Sequence, residues 1–212
     1  IKTGSPMKEI LNFYEKKIFH SNILKKLQLE NNKYFLLSAH REENIDTKEN
    51  LKKIAYIINA IHDEYNFPVI ISTHPRTRKM LEKYKIESNP KKDIRFLKPF
   101  GFLDYIKLQV NSYCVISDSG TITEESSILN FPALNLREAH EKPEGFEEAS
   151  VMMVGLKKER ILSALRIVTN QKIGLDRDLR IVKDYDLDNV SMKIVRIIES
   201  YTDYINRVVW RK

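Results

Sequence analysis

Tyr113-Cys114-Val115-Ile116-Ser117, then Asp118-Ser119-Gly120-Thr121, then Ile122-Thr123-Glu124-Glu125 is the stretch that fixes the fold class of this chain. An apolar run breaks into small polar residues and passes at once into a helix-forming segment at 122–129. A run that is apolar throughout, rather than alternating, is a strand covered on both faces. A strand that turns directly into a helix is the repeating unit of a parallel sheet.

The same unit recurs on both sides. Residues 34–39 (YFLLSA) read as a strand, with a helix at 51–63; 67–73 (FPVIIST) read as the next, with a helix at 77–84. A third strand at 94–97 leads to a helix at 102–110. Runs at 133–136 and 151–154 complete the set before a helix at 157–168. Single helices between strands give right-handed crossovers, and hence a doubly wound, Rossmann-like α/β domain. Two flanks stand outside the repeat. Residues 6–29 carry Met7, Ile10, Leu11, Tyr14 and Ile18 at helical spacing, and 189–210 carry Met192, Val195, Ile198 and Ile205. Each can cover the sheet or pack on a neighbour. The whole of 1–212 is read as one domain with these two helical flanks.

Composition narrows the class. With 42% hydrophobic residues the 212-residue chain can bury a full core, and no apolar run approaches the ~20 residues of a membrane span. Residues 1–6 do not form a signal peptide, and the absence of an initiator Met suggests a piece of a longer protein. Cys114 is the single cysteine, set in an apolar run, which excludes an internal disulfide and a cysteine-based zinc site. A small buried hydrophobe in a reducing, cytoplasmic setting is the expectation. The net charge of +7 raises a nucleic-acid reading, but the cations are mixed with acids, as in Lys157-Lys158-Glu159-Arg160, and read as solvated helix faces.

Ligands of doubly wound sheets sit beyond the carboxyl ends of the strands. Three of those ends carry polar clusters. At Ser38-Ala39-His40-Arg41-Glu42-Glu43-Asn44, Arg41 is suited to a bidentate phosphate contact and His40 to donating a hydrogen bond or moving a proton, unless this is simply a charged loop. Ser72-Thr73-His74-Pro75-Arg76 repeats the His and Arg, with a plain loop as the alternative. The richest end is 117–125. Gly120 permits close backbone approach, the following helix start suits a diphosphate, and Ser119 and Thr121 add hydroxyls. Glu125 lies one turn inside the helix, placed to accept from ribose hydroxyls. A capping box explains the same residues and is compatible with that role. Neither G-x-G-x-x-G nor G-x-x-x-x-G-K-[ST] occurs, nor H-E-x-x-H, which disfavours an NAD enzyme, a P-loop NTPase and a metal site.

The runs SAHREEN (38–44), DSGTITEE (118–125) and REAHEKPEG (137–145), in this order and spacing, resemble the C-terminal domain of non-hydrolysing UDP-N-acetylglucosamine 2-epimerases. Thr3-Gly4-Ser5-Pro6-Met7 resembles the crossover into that domain. The resemblance implies the C-terminal half of a GT-B-like two-domain fold, with an N-terminal domain outside this chain that supplies most of the proton-handling carboxylates. It implies elimination of UDP across C1 and C2 of the sugar and re-addition with inversion at C2, with no cofactor or metal. By resemblance His40 is catalytic, Ser119 and Gly120 cradle the diphosphate, and Glu125 binds the ribose. Tyr105 stands where the family sets an aromatic against uracil, and Arg41 and His74 neighbour the phosphates.

Two departures stand out. Thr121 replaces the second glycine of a Gly-Gly pair, adding a hydroxyl toward the phosphate or narrowing the loop. Lys142 replaces an arginine before Pro-Glu, so that the UDP phosphate contact expected of it is made by a point charge rather than a fork. With 137–140 and 147–155 they resemble the branch that makes UDP-N-acetyl-L-fucosamine from UDP-2-acetamido-2,6-dideoxy-L-talose for capsule or O-antigen synthesis. UDP-GlcNAc/UDP-ManNAc epimerisation is the main alternative, and a GT-B glycosyltransferase domain the second. The partners implied are a UDP-sugar, the N-terminal domain and a second copy of the full enzyme, with neither nucleic acid nor membrane.

Overall fold

The computed structural model describes residues 1–86 and 91–212. Six parallel strands form one sheet: β1 (Phe35–Ser38), β2 (Val69–Ser72), β3 (Ile94–Leu97), β4 (Cys114–Ser117), β5 (Ala133–Asn135) and β6 (Met152–Met153). Their spatial order is β3-β2-β1-β4-β5-β6, so the chain winds outward from β1 in one direction and then, from β4, in the other. That is the Rossmann order, and the reversal between β1 and β4 is where such sheets open a crevice. Register is direct across it, with Leu37 opposite Ile116 and Ser38 opposite Ser117.

Apart from Arg95 on the edge strand β3 and the polar residues that end β1, β2, β4 and β5, the strands are apolar on both faces because helices cover both. Phe35, Leu37, Val69, Ile71, Cys114, Ile116 and Leu134 pack on one face. They meet α4 (Lys48–Tyr65) through Leu51, Ile54, Ile58 and Ile61, and α9 (Lys158–Val168) through Ile161, Ala164 and Leu165. Tyr34, Leu36, Ile70, Val115 and Ala133 face the other way, onto α2 (Ile23–Leu27), α6 (Phe102–Val110) and α7 (Ile122–Leu129). Cys114 is free and fully buried, and burial pushes its thiol pKa up, as fits a packing residue.

The 6–29 flank is helical in two pieces. α1 (Met7–Phe19) packs through Leu11 and Ile18 on Ile106 of α6, and then the chain breaks before α2. The cause is Ser21, whose hydroxyl donates to Asp104 Oδ1 at 2.5 Å and accepts from the Ile23 N–H, so a side chain takes over the backbone's bonding. Two short helices stand where no helix was expected, and the helix expected at 77–84 is present but starts two residues earlier. α3 (Glu42–Ile45) sits inside the polar loop after β1, α5 (Pro75–Lys83) begins at Pro75 itself, and α8 (Pro143–Glu147) follows the loop after β5. Proline is favoured at a first helical position because its missing N–H has no partner there to lose. α10 (Val190–Val208) buries only Val190, and Met192, Val195, Ile198 and Val208 are exposed along it. Among the described residues, no helix is long and apolar enough to cross a membrane.

Candidate functional site

Asp118, the first residue after β4, joins the two sides of the crevice. Its side chain is fully buried and its carboxylate accepts from the backbone N–H of His40 (2.9 Å) and Arg41 (2.9 Å) and from Asn44 Nδ2 (3.0 Å). His40 Nδ1 lies 3.2 Å from Asp118 Oδ1. The Nδ1 edge of the ring thus faces the Asp118 carboxylate, with Nε2 on the opposite edge. The loop after β1 is thus fixed by a single charge from the loop after β4.

His74, at the end of β2, comes to the same place. Its ring lies 5.9 Å from that of His40, centroid to centroid. It also caps α5, with Nδ1 accepting from the Arg76 N–H at 3.3 Å. Arg76 turns away and pairs with Glu42 and Asp46.

The loop from Ser119 to Thr121 lines the β4 side. Ser119 Oγ and Thr121 Oγ1 are 3.0 Å apart, and Ser119 Oγ also accepts from the Thr121 N–H. Thr121 is the N-cap of α7 and makes no side-chain cap bond, so the capping box allowed by the sequence does not form. A Cβ placed on Gly120 would meet only Glu141 Oε2 at 3.4 Å and Arg41 Nη2 at 3.7 Å. The space above the glycine is therefore bounded by charged side-chain ends. Free N–H groups at a helix start, an uncovered glycine and a guanidinium are what a phosphate needs.

The first turn of α7 holds two buried acids. Glu125 accepts from Gln109 Nε2 at 2.6 Å, and burial raises its carboxyl pKa, against the lowering by Gln109 and Thr121. Glu124 is paired with Lys142 Nζ at 2.8 Å. Lys142 lies over the Tyr185 ring, and Tyr185 donates to Glu144 at 2.9 Å. Lys142 thus offsets a buried carboxylate that would otherwise oppose an anion at this helix start. Tyr105 is half-buried beneath the site, near the Ser38 and Ser117 hydroxyls and Glu125, and burial raises its phenol pKa.

The structure therefore brings His40, Arg41, His74, Ser119, Gly120 and Thr121 together at the carboxyl ends of β1, β2 and β4, with Glu125 and Tyr105 beneath. Lys142 reaches the cluster through Glu124. Sequence reasoning gave no role to Asp118, Asn44, Gln109, Arg137 or Glu141. Arg137 follows β5, with its side chain 10% exposed, and donates to Glu141, which also receives a bidentate contact from Arg41. Among the described residues no group of three or more His, Cys, Asp or Glu is arranged to hold a metal ion.

Residues 1–199 match the family model described as UDP-N-acetylglucosamine 2-epimerase. The chain belongs to this family. A UDP-N-acetylglucosamine 2-epimerase of Methanocaldococcus jannaschii is 40% identical over 143 residues, which are 66% of this chain and 38% of that protein. Among solved structures, the UDP-N-acetylglucosamine 2-epimerase of Rickettsia bellii is 47% identical with a TM-score of 0.86, covering 99% of this chain and 56% of that one. The M. jannaschii enzyme solved in complex with UDP-GlcNAc and UDP is 31% identical with a TM-score of 0.83, covering 93% and 54%. The chain thus spans about half the length of the 2-epimerase structures it matches. Its Rossmann-like sheet is one part of their GT-B-like architecture.

Proposed function

We propose that this chain is the UDP-binding half of a UDP-sugar 2-epimerase. The observation that carries this reading is the convergence of His40, Arg41 and Gly120 across the β1–β4 crevice, tied together by buried Asp118. In this reading the diphosphate sits over Gly120 against the start of α7, held by Arg41 and by the Ser119 and Thr121 hydroxyls. The ribose reaches Glu125, the uracil lies toward Tyr105, and His74 flanks the phosphates. His40, with its Nδ1 edge toward Asp118, presents Nε2 to the bond between UDP and sugar. Removal of the C2 proton as the C1–O bond to UDP breaks leaves a C1–C2 double bond in the sugar. Re-addition of UDP at C1, with a proton delivered to the other face of C2, inverts that centre. The acids for that proton come from an N-terminal domain of the full enzyme, a homodimer of the cytoplasm.

For the sugar we propose UDP-2-acetamido-2,6-dideoxy-L-talose, with UDP-N-acetyl-L-fucosamine as product for capsule or O-antigen synthesis. The support is Lys142 and Thr121 in place of an arginine and a glycine. UDP-GlcNAc is the second reading, favoured by the names of the relatives.

Calorimetry tests the site. Gly120→Asp puts a carboxylate among the phosphates and is expected to abolish UDP binding, and unchanged affinity would overturn the assignment. Incubating the full-length enzyme with either UDP-sugar in deuterated water tests the reaction. Deuterium at C2 with no acceptor present is expected, and its absence with both sugars would favour a glycosyltransferase.

A further inference from the structure

The Glu141 carboxylate stands in the open space above Gly120. Its Oε2 is 3.4 Å from the position of a Cβ on that glycine. Arg41 grips it end-on, Nη1 to Oε1 at 3.1 Å and Nη2 to Oε2 at 3.0 Å, and Arg137 Nη2 donates to Oε1 at 2.9 Å. Two guanidiniums converging on one anion is a geometry that serves carboxylate and phosphate alike.

The two arginines are held differently from the acid. Arg137 is 9% exposed, its backbone N–H is fixed by the Asn135 side chain, and its buried Nε makes no hydrogen bond, with Glu43 Oε1 3.7 Å away as a longer ion pair. Such a guanidinium has a donor to spare and a cost for leaving it unused. Glu141 has a side chain half exposed, on the loop between β5 and α8. Its carboxyl pKa is held down at about 2, first by Arg137 and then by Arg41, so it stays anionic at neutral pH.

We propose that Glu141 is an internal stand-in for the ligand's phosphate, occupying the Arg41–Arg137 pair in the free chain and leaving it when a diphosphate settles over Gly120. Arg137 then becomes a phosphate ligand alongside Arg41. The inference rests on the UDP-binding reading of this site and adds to it a residue and a competing group. Binding is an exchange of one anion for another, so the two arginines are never left uncompensated. The exchange weakens the affinity of the site but keeps it ordered while empty.

Titrations of this chain with UDP, and separately with inorganic pyrophosphate, test the exchange. Glu141→Gln is expected to tighten both by about three- to tenfold, because no internal carboxylate competes. Glu138→Gln removes the same charge from the same loop and is expected to change affinity by less than about twofold. In the Arg137→Gln background the gain from Glu141→Gln is expected to shrink, since the pair acts as a unit. If wild type and Glu141→Gln bind UDP equally, or Glu138→Gln gains as much, the stand-in is overturned while the UDP site survives. If no protein in the set binds UDP or pyrophosphate, both readings fall.

Discussion

His40 turns its Nδ1 edge toward Asp118, and that orientation is testable on its own. The buried carboxylate accepts from two backbone N–H groups and from Asn44, with the imidazole edge 3.2 Å away, so it cannot be lost cheaply. Asp118→Asn keeps the shape but sets an amide N–H against donors. It is expected to cost about 2–4 kcal/mol of unfolding free energy in urea titrations. Nitrogen NMR on the wild-type chain is expected to show the Nδ1–H tautomer of His40, and a dominant Nε2–H form would contradict the arrangement. Glu125 gives the opposite sign. Burial raises its carboxyl pKa, so the unfolded chain releases the proton first as pH rises through the ordinary carboxylate range. The fold therefore loses stability over that interval until the folded carboxyl ionises as well. Glu125→Gln cannot titrate, so its stability relative to wild type is expected to rise with pH through that interval, as urea titrations at several pH values would read. Of these residues, His40 and Glu125 were legible as polar side chains at strand and helix ends. Asp118 was not given a role, because its partners lie 74 to 78 residues away and two of them are backbone groups that no side-chain pattern reports.

At the scale of elements, the site depends on how α8 meets α7. Gly145 is the contact, and a Cβ there would fall 2.1 Å from Thr123 Cγ2 and 3.2 Å from the Tyr185 hydroxyl. Thr123 is buried in the first turn of α7, beside Glu124, whose partner Lys142 caps α8. Gly145→Ala must push the two helices apart. The expected cost is about 1–3 kcal/mol, with UDP affinity falling because the α7 start moves with Thr123. Full stability in a urea titration would show that the contact yields freely. The strands and long helices were readable because their apolar periods are strong. α3 and α8 were not, since helices of 4 and 5 residues carry too little pattern to separate from a charged loop. The split between α1 and α2 escaped for a different reason, because it is set by Ser21 reaching Asp104 across 83 residues.

For the whole molecule, the sheet order makes the strand ends a single site. Apolar runs alone gave strands and a parallel sheet, but the β3-β2-β1-β4-β5-β6 order, which puts the loops after β1 and β4 side by side, is a property of the packed chain. A ligand that binds only this assembled crevice must stabilise the entire fold. UDP at about a hundred times its Kd adds about 2.7 kcal/mol, which for a chain of this length raises Tm by roughly 5–10 °C. Gly120→Asp is expected to melt near the wild-type temperature without ligand, since the space above Gly120 is bounded only by side-chain ends, and to show no shift with UDP. The formal charge of +7 makes salt the natural control. A diphosphate touching one or two arginines loses its shift gradually as salt rises, whereas a nucleic acid spread over many cations loses affinity by orders of magnitude. An equal UDP shift in wild type and Gly120→Asp would move the ligand away from the α7 start, and with it the reason for His40 and Arg41 to face the same crevice.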